Sequence, residues 1–331
     1  MVLTTPLLTA LRARLQPRRL AVLVRPEAVG LLSGHPAVDD LLVDDKRDRD
    51  RGVGGWCGLV RRLRAERFDV VVSPHRSVRT ALTLAAAQIP RRIGFATARA
   101  AWCYHEVVPR PATQHDVDRN LALMAPFGAW TDAASLHLPV HPEAARRAQT
   151  LLPSGDVPVV GLAPGSVWAT KRWTPEGFAA VARALIADGI HCVLLGADSD
   201  RPACEAVAAL AGPGVRVLAG QTDVATLVAV IDRLQLLVAN DSAPMHIACA
   251  RDVPVVAVFC ATTPALGYGP WGRRTAVVEV DLECRPCGRH GGTHCPRGTD
   301  DCRELVTSTM VLAAIARLGL GIGLGRGGHA A

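Results

Sequence analysis

The sequence predicts an α/β protein of two domains, each built on a parallel sheet with helices on both faces. Short β-branched runs alternate with amphipathic helical stretches along the 331 residues, which is typical of parallel sheets. The strand candidates are continuously apolar, as strands buried on both faces are. The pattern restarts after a proline-rich stretch at 140–157. We therefore predict domains over 1–150 and 151–320, followed by a flexible glycine-rich tail over 321–331.

The predicted strands lie at 20–24, 69–73, 158–163, 191–196, 236–239 and 255–259, and the predicted helices at 6–15, 56–67, 77–87, 175–188, 202–211, 223–233 and 243–250. The first element is thus a helix, with Thr4 or Thr5 as its N-cap and Pro6 in its first turn. A doubly wound domain normally begins with a strand near the middle of its sheet. We therefore expect the first N-terminal strand to be missing, either from the sheet itself or because the true reading frame begins upstream of Met1.

Composition narrows the classes of function. The chain is 49% hydrophobic and 20% charged, which indicates a globular protein with a core. No apolar run approaches the roughly 18 residues that a membrane span requires. The formal net charge of +7 favours an anionic partner. Aromatic residues make up only 4% and form no ordered stripe with basic residues, which argues against nucleic acid. A phosphorylated small molecule and a membrane surface remain as the candidate anionic partners.

The first candidate site follows the strand that ends at Ala163. A loop leaving the carboxyl end of a parallel strand is where α/β sheets bind ligands. Here Gly165 would let the backbone approach a phosphate, Ser166 could donate to it, and Lys171 would supply charge for a diphosphate. Lys171 is one of only two lysines in the chain. The alternative, an ordinary strand–loop–helix turn with a solvated lysine, is equally supported by this segment alone.

Two more strand ends carry polar residues. Asp200 follows the strand that ends at Gly196 and could bind ribose hydroxyls, or could instead cap the next helix. Asp241 and Ser242 could cap another helix, or the N-terminus of that helix could receive an anion with His246 facing it. A lone histidine in an apolar helix is more often a core residue. Polar groups that converge at strand ends favour a site.

Taken together, these segments resemble glycosyltransferase family 9, the heptosyltransferases of lipopolysaccharide core assembly. The similarity is carried by PGSVWATKRWTP at 164–175, NDSAPMH at 240–246, VPVVAVF at 253–259 and GPWG at 269–272. HDVDRNLALMAPFG at 115–128 and TTPLLTALRARLQP at 4–17 also resemble family segments, so the likeness spans nearly the whole chain. Ala243 and Cys260 depart from it, because the family usually has glycine at both positions.

The resemblance implies a GT-B architecture, in which two Rossmann-like domains face each other across a cleft with the ADP-sugar on the C-terminal side. It implies an inverting single displacement from a donor such as ADP-heptose to a lipid-linked or polysaccharide acceptor, without a required cofactor. It also implies a cytoplasmic protein that meets the inner membrane face peripherally. Carried over by position, the donor-binding residues are Gly165, Ser166, Lys171, Gly196, Asp200, Asp241, Ser242 and His246.

The catalytic residue stays unassigned. In the family, the aspartate of an early Gly-Asp turn serves as general base, and its position would lie before Met1. His75 and Asp116 are the replacement candidates in this sequence. A non-catalytic nucleotide-sugar-binding protein that has lost its base is therefore the second hypothesis. A nicotinamide oxidoreductase is disfavoured, because no G-x-G-x-x-G motif follows a strand.

Four of the ten cysteines cluster in the pattern C-x2-C-x7-C-x6-C, at Cys284, Cys287, Cys295 and Cys302. Four soft ligands within nineteen residues could hold a structural zinc ion, although the second spacing is not that of a standard zinc knuckle. Free thiols and a disulfide are the alternatives. The resemblance implies that this segment is a structural loop of the donor domain.

Overall fold

The computed structural model describes residues 1–155 and 157–320, and the tail predicted over 321–331 lies outside them. The chain divides into two compact units, one over Leu3–Pro139 and the other beginning at Val140. The helix Pro142–Leu151 packs against a helix of the second unit. We therefore place the boundary after Pro139, at the start of the proline-rich stretch, rather than at residue 150. None of the helices in the described ranges combines the length and apolarity needed to cross a bilayer.

The N-terminal unit contains five strands and five α-helices among its described residues. The strands are β1 (Ala21–Val24), β2 (Asp40–Val43), β3 (Val70–Ser73), β4 (Arg91–Phe95) and β5 (Glu106–Val108). The helices are α1 (Thr5–Leu15), α2 (Val29–Leu32), α3 (Gly52–Ala65), α4 (Val78–Ala86) and α5 (Asp116–Leu121). The strands pair in two separate parallel groups, β1 with β2 and β3-β4-β5.

The two groups of strands share the helices that cover them. On one face, Leu7 and Leu11 of α1 pack with Ile93 of β4, while Leu8 of the same helix packs with Val24 of β1. On the other face, α3 and α4 contribute to one cluster that also takes in side chains of β1 and β3. The two groups therefore form a single layer that is interrupted between β1 and β3.

The interruption leaves strand edges within this layer. In a parallel pair, alternate residues direct both backbone groups to the same neighbour. In this register, the backbone N–H and C=O groups of Ala21 and Leu23 in β1 point away from β2. Those of Val70 and Val72 in β3 point away from β4. Both strands are mostly half-buried, unlike the inner strands of the C-terminal unit. The described sheet thus lacks an inner strand, as the sequence predicts.

The C-terminal unit has one continuous parallel sheet. Its strands are β6 (Val159–Ala163), β7 (His191–Leu194), β8 (Val215–Val217), β9 (Leu236–Asn240), β10 (Val255–Val258) and β11 (Thr275–Val278). Its helices are α6 (Pro142–Leu151), α7 (Pro175–Ala187), α8 (Arg201–Ala211), α9 (Val224–Asp232), α10 (Ala243–Ala250), α11 (Asp301–Glu304) and α12 (Ser308–Arg317).

The strand order of this sheet fixes where a ligand can bind. The order is β11-β10-β9-β6-β7-β8, which is the doubly wound 3-2-1-4-5-6 arrangement when β6 is counted first. The chain leaves β6 towards one edge and returns at β9 to build the other. Ligands of such sheets bind beyond the carboxyl ends of the strands at this switch point. The residues after Ala163 and after Asn240 therefore lie where a ligand is expected to bind.

Candidate functional site

A buried asparagine holds the loop that leaves β6. Asn240 ends β9 and is fully buried. Its Oδ1 accepts a hydrogen bond from the backbone N–H of Trp173 at 3.0 Å, and its Nδ2 donates to the carbonyl of Pro164 at 2.8 Å. One side chain thus binds both ends of the segment 164–173. Sequence reasoning gave Asn240 no role, although its place directly before Asp241 at a strand end was a usable signal.

The centre of the site is an ion pair between the two switch-point loops. Lys171 Nζ lies 2.6 Å from Asp241 Oδ2, and the two side chains are only 13% and 8% exposed. The hydroxyl of Thr262 donates to the same carboxylate oxygen at 2.7 Å. Lys171 is therefore not the solvated lysine of an ordinary turn. Sequence reasoning missed Thr262, which follows β10.

Such a pair suits a ligand that is both phosphorylated and hydroxylated. The ammonium group can approach a phosphate, and the carboxylate can accept hydrogen bonds from sugar hydroxyls. Ser166 is buried in the same loop as Lys171, and its backbone carbonyl accepts a hydrogen bond from Arg172 Nε at 2.8 Å. The loop is therefore held by its own side chains before any ligand binds.

Asp200 lies against both predicted glycines. A Cβ atom at Gly165 would overlap the Asp200 carboxyl group, and one at Gly196 would lie 2.6 Å from Asp200 Cβ. Only glycine lets the two loops approach this closely. Asp200 Oδ2 also accepts from the backbone N–H of Ala197 at 3.0 Å, so it caps the short 3-10 turn Asp198–Asp200. It occupies the N-cap position of α8, but its side chain makes no cap hydrogen bond to that helix, unlike the alternative that the sequence left open. Its contact with ribose stays a prediction.

The start of α10 carries the remaining donor candidates. Ser242 is the N-cap residue of this helix, and its hydroxyl donates to the carbonyl of Asn240 at 3.3 Å. His246 is half-buried in the first turn. Both residues therefore lie at the helix N-terminus next to Asp241, where the helix dipole favours negative charge. The structure brings them to the same strand end as Lys171, and their contact with a ligand stays a prediction.

The two candidates for the base differ in their surroundings. His75 follows β3 and is exposed, with Nδ1 2.7 Å from the Thr80 hydroxyl. Partial burial, together with Lys46 and Arg76, lowers the pKa of His75 below its usual value, so the ring is neutral near pH 7. Asp116 opens α5 and is ion-paired with Arg110. The Asp116 carboxylate is therefore already engaged by a cation. His75 is thus the better candidate of the two.

The cysteine cluster forms no metal centre in the described residues, where no group of three or more His, Cys, Asp or Glu side chains is arranged to hold a metal ion. All four cysteines are free thiols, so no disulfide joins them. Burial raises the pKa of Cys302 to about 11, whereas backbone N–H groups of Asp300 and Arg297 lower the pKa of Cys295. The structural zinc ion stays a prediction.

Comparison with known proteins agrees with this geometry. The sequence profile of glycosyltransferase family 9 (heptosyltransferase) matches residues 56–294. Lipopolysaccharide heptosyltransferase 3 of Escherichia coli is 28% identical over 283 residues, which cover 82% of this chain and 83% of that protein. Lipopolysaccharide heptosyltransferase 2 of Salmonella typhimurium is 28% identical over 279 residues, 80% of each chain.

Solved structures show the same fold. A family 9 glycosyltransferase from Veillonella parvula superposes with a TM-score of 0.87 at 23% identity, covering 96% of this chain and 93% of that one. ADP-heptose lps heptosyltransferase II of E. coli superposes with a TM-score of 0.80 at 24% identity, covering 96% of this chain and 94% of that one. An E. coli heptosyltransferase solved with ADP-2-deoxy-2-fluoro heptose superposes with a TM-score of 0.71 at 19% identity, covering 96% of this chain and 95% of that one. The GT-B fold class predicted from the sequence is confirmed. With a profile match over more than half of its length, the chain belongs to glycosyltransferase family 9, the heptosyltransferases, and is a glycosyltransferase.

Proposed function

We propose that this protein transfers a heptose from an ADP-activated donor to a lipopolysaccharide-core acceptor, with inversion at the anomeric carbon. The observation that carries the proposal is the buried Lys171–Asp241 pair at the switch point of the C-terminal sheet. Curated relatives named as lipopolysaccharide heptosyltransferases support the sugar and the acceptor. The related structure that was solved with an ADP-heptose analogue supports the donor.

The chemistry follows from the charges of the site. In a single displacement, the acceptor hydroxyl attacks the anomeric carbon, the bond from that carbon to the phosphate oxygen breaks, and ADP departs. The leaving diphosphate gains negative charge, and Lys171 provides a fixed positive partner for it. Asp241 would accept hydrogen bonds from the sugar, and Asp200 from the ribose. Ser166 and the N-terminus of α10 would add donors to the phosphates.

The attacking hydroxyl must lose a proton, and we propose His75 as the base, because Asp116 is held in an ion pair with Arg110. His75→Gln should then lower the rate of sugar transfer by about 10²–10⁴-fold, as the loss of a general base does, and leave ADP affinity unchanged. An unchanged rate in folded His75→Gln protein would remove His75 from the reaction.

The acceptor of such a reaction is lipid-linked, so we propose that the protein meets it at the cytoplasmic face of the inner membrane. The formal charge of +7 supports attraction to an anionic surface. Co-sedimentation with anionic vesicles, and not with neutral vesicles, would support this contact. Equal recovery with both kinds of vesicle would contradict it.

The donor proposal is tested by calorimetry with ADP and ADP-heptose. Lys171→Ala should weaken binding by about ten- to a hundredfold, because a hydrogen bond to a charged group contributes roughly 1.5–3 kcal/mol. Lys46→Ala is the matched control, since Lys46 is the other lysine of the chain and lies outside this site. Removal of Lys171 also leaves Asp241 without its cation, so Lys171→Arg, which retains the charge, guards against a folding defect. Unchanged affinity in folded Lys171→Ala protein would remove Lys171 from the donor site.

A further inference from the structure

The cysteine-containing segment after β11 is bound to the donor loop. The backbone N–H of Cys287 donates to the carbonyl of Ala261 at 2.9 Å. Five residues later, Gly292 accepts from the backbone N–H of Thr170 at 3.1 Å and donates to the Thr170 hydroxyl at 2.8 Å. Ala261 precedes the threonine that binds Asp241, and Thr170 precedes Lys171. Residues 287–292 therefore run from Ala261, which is next to the Thr262 that binds Asp241, to Thr170, which is next to Lys171.

The path of this segment is fixed by close packing. Gly291 has a φ of +75°, and a Cβ atom there would lie 2.9 Å from the Thr170 hydroxyl and 3.2 Å from Lys171 Cγ. Before it, the Arg285 guanidinium donates to the carbonyls of Phe259 at 3.0 Å and Thr262 at 2.8 Å. Both ends of the segment are therefore held in place, and one backbone position lies directly against the lysine stem.

His290 immediately precedes the glycine that touches Lys171, and its side chain is exposed. Its electrostatic neighbours are Arg289, Lys171 and Asp241. Although the side chain is exposed, atoms around the ring partly desolvate it, and this effect, followed by Arg289 and Lys171, lowers the pKa of His290, while Asp241 opposes the shift. The ring is thus neutral near pH 7 and has one N–H group to donate. Lys171 shares its charge with Asp241, so an anion bound there would gain from a second donor close by.

We propose that His290 binds the diphosphate of the nucleotide-sugar donor together with Lys171. This inference rests on the proposed donor site and extends it to a residue outside the switch-point loops. A solvent-facing imidazole on a rigid segment can meet a phosphate at little conformational cost.

The test is calorimetric titration of ADP and of adenosine into wild type, His290→Ala and His290→Gln. The alanine variant should bind ADP about tenfold more weakly, and glutamine, which retains an N–H donor, should recover part of the loss. Adenosine affinity should not change, because adenosine lacks the phosphates. His294→Ala is the matched control, since His294 lies in the same segment and contacts Thr293.

The outcomes separate the two proposals. Wild type that fails to bind ADP would contradict the proposed donor site itself. Wild type that binds ADP while His290→Ala binds it equally well would overturn the assignment of His290 alone. An equal loss in His294→Ala, or an equal loss for adenosine, would also overturn it, because the effect would then come from the segment as a whole.

Discussion

Replacement of Asn240 by leucine tests whether one buried amide holds the donor loop. Leucine has the same branched arrangement of side-chain heavy atoms as asparagine, although its methyl groups make it larger, and it cannot donate or accept a hydrogen bond. The change would therefore leave the Trp173 N–H and the Pro164 carbonyl without their partner, in a place where Asn240 is fully buried. The larger methyl groups would add a packing cost to the loss of these two hydrogen bonds.

The expected loss of stability follows from the two backbone groups that would lose their hydrogen-bond partner. A buried donor or acceptor that loses its partner costs about 1–3 kcal/mol, which gives about 2–6 kcal/mol for the pair. A domain is typically stable by about 5–15 kcal/mol, so the transition of the C-terminal unit should fall clearly. ADP affinity should fall as well, because the segment that carries Ser166 and Lys171 would lose an attachment at each end.

Scanning calorimetry and urea unfolding followed by circular dichroism would measure the change in stability, and ADP titration would measure binding. Asn120→Leu is the matched control. Asn120 is a buried asparagine of the N-terminal unit, and its Nδ2 donates to the carbonyl of Leu3 at 3.1 Å. This control should destabilise its own unit and leave ADP affinity unchanged. An Asn240→Leu protein within about 0.5 kcal/mol of wild type, the range of an ordinary surface change, would refute the role of the amide.

Three further predictions concern other parts of the chain. Gly165→Ala should lower the melting temperature and ADP affinity because the new methyl group would overlap Asp200, whereas Gly58→Ala, inside α3 with open space around it, should leave ADP affinity unchanged and should not lower the melting temperature. If the cysteine cluster holds zinc, purified protein should contain about one equivalent of metal and chelation should lower its melting temperature; full stability without metal would refute this. Burial and the neighbouring His137 lower the pKa of His35 to about 4. Unfolding exposes a ring that binds protons more readily, so stability should fall as pH drops from about 6.5 towards 4, and His35→Asn should flatten that profile.

The sequence predicted strands well where they are buried on both faces. β6, β7, β9 and β10 are continuous apolar runs in the chain, and the structure confirms them. The sequence pattern did not predict β2, β4, β5, β8 and β11. These strands are short or carry charged residues, as β4 does at Arg91 and Arg92. β2, β5, β8 and β11 lie at sheet edges, and β4, although it is the middle strand of its group, begins with two arginines, so none of them gives a long continuous apolar signal. Their place in the sheet comes from pairing with distant neighbours.

For the site, local sequence indicated which strand ends matter but not which side chains would meet. Lys171 and Asp241 are seventy residues apart, and only the return of the chain at β9 brings them to 2.6 Å. The same return lets Asn240 reach Pro164 and Trp173. The contact of residues 287–292 with Thr170 depends on the path of a segment with no regular structure. These are tertiary contacts, and neither periodicity nor turn chemistry contains them.

The position of the Lys171–Asp241 pair argues for a ligand more strongly than the presence of its two charges does. A buried ion pair is weak evidence of stability, because the cost of removing both charges from water often exceeds their attraction. Apolar residues of similar size would hold the two loops together at least as well. The pair lies at the switch point, and an asparagine fixes the loop beside it. A ligand on which its charges act therefore explains the pair better than stability does. A diphosphate joined to a sugar is such a partner, because it offers negative charge to Lys171 and hydroxyl groups to Asp241 at once.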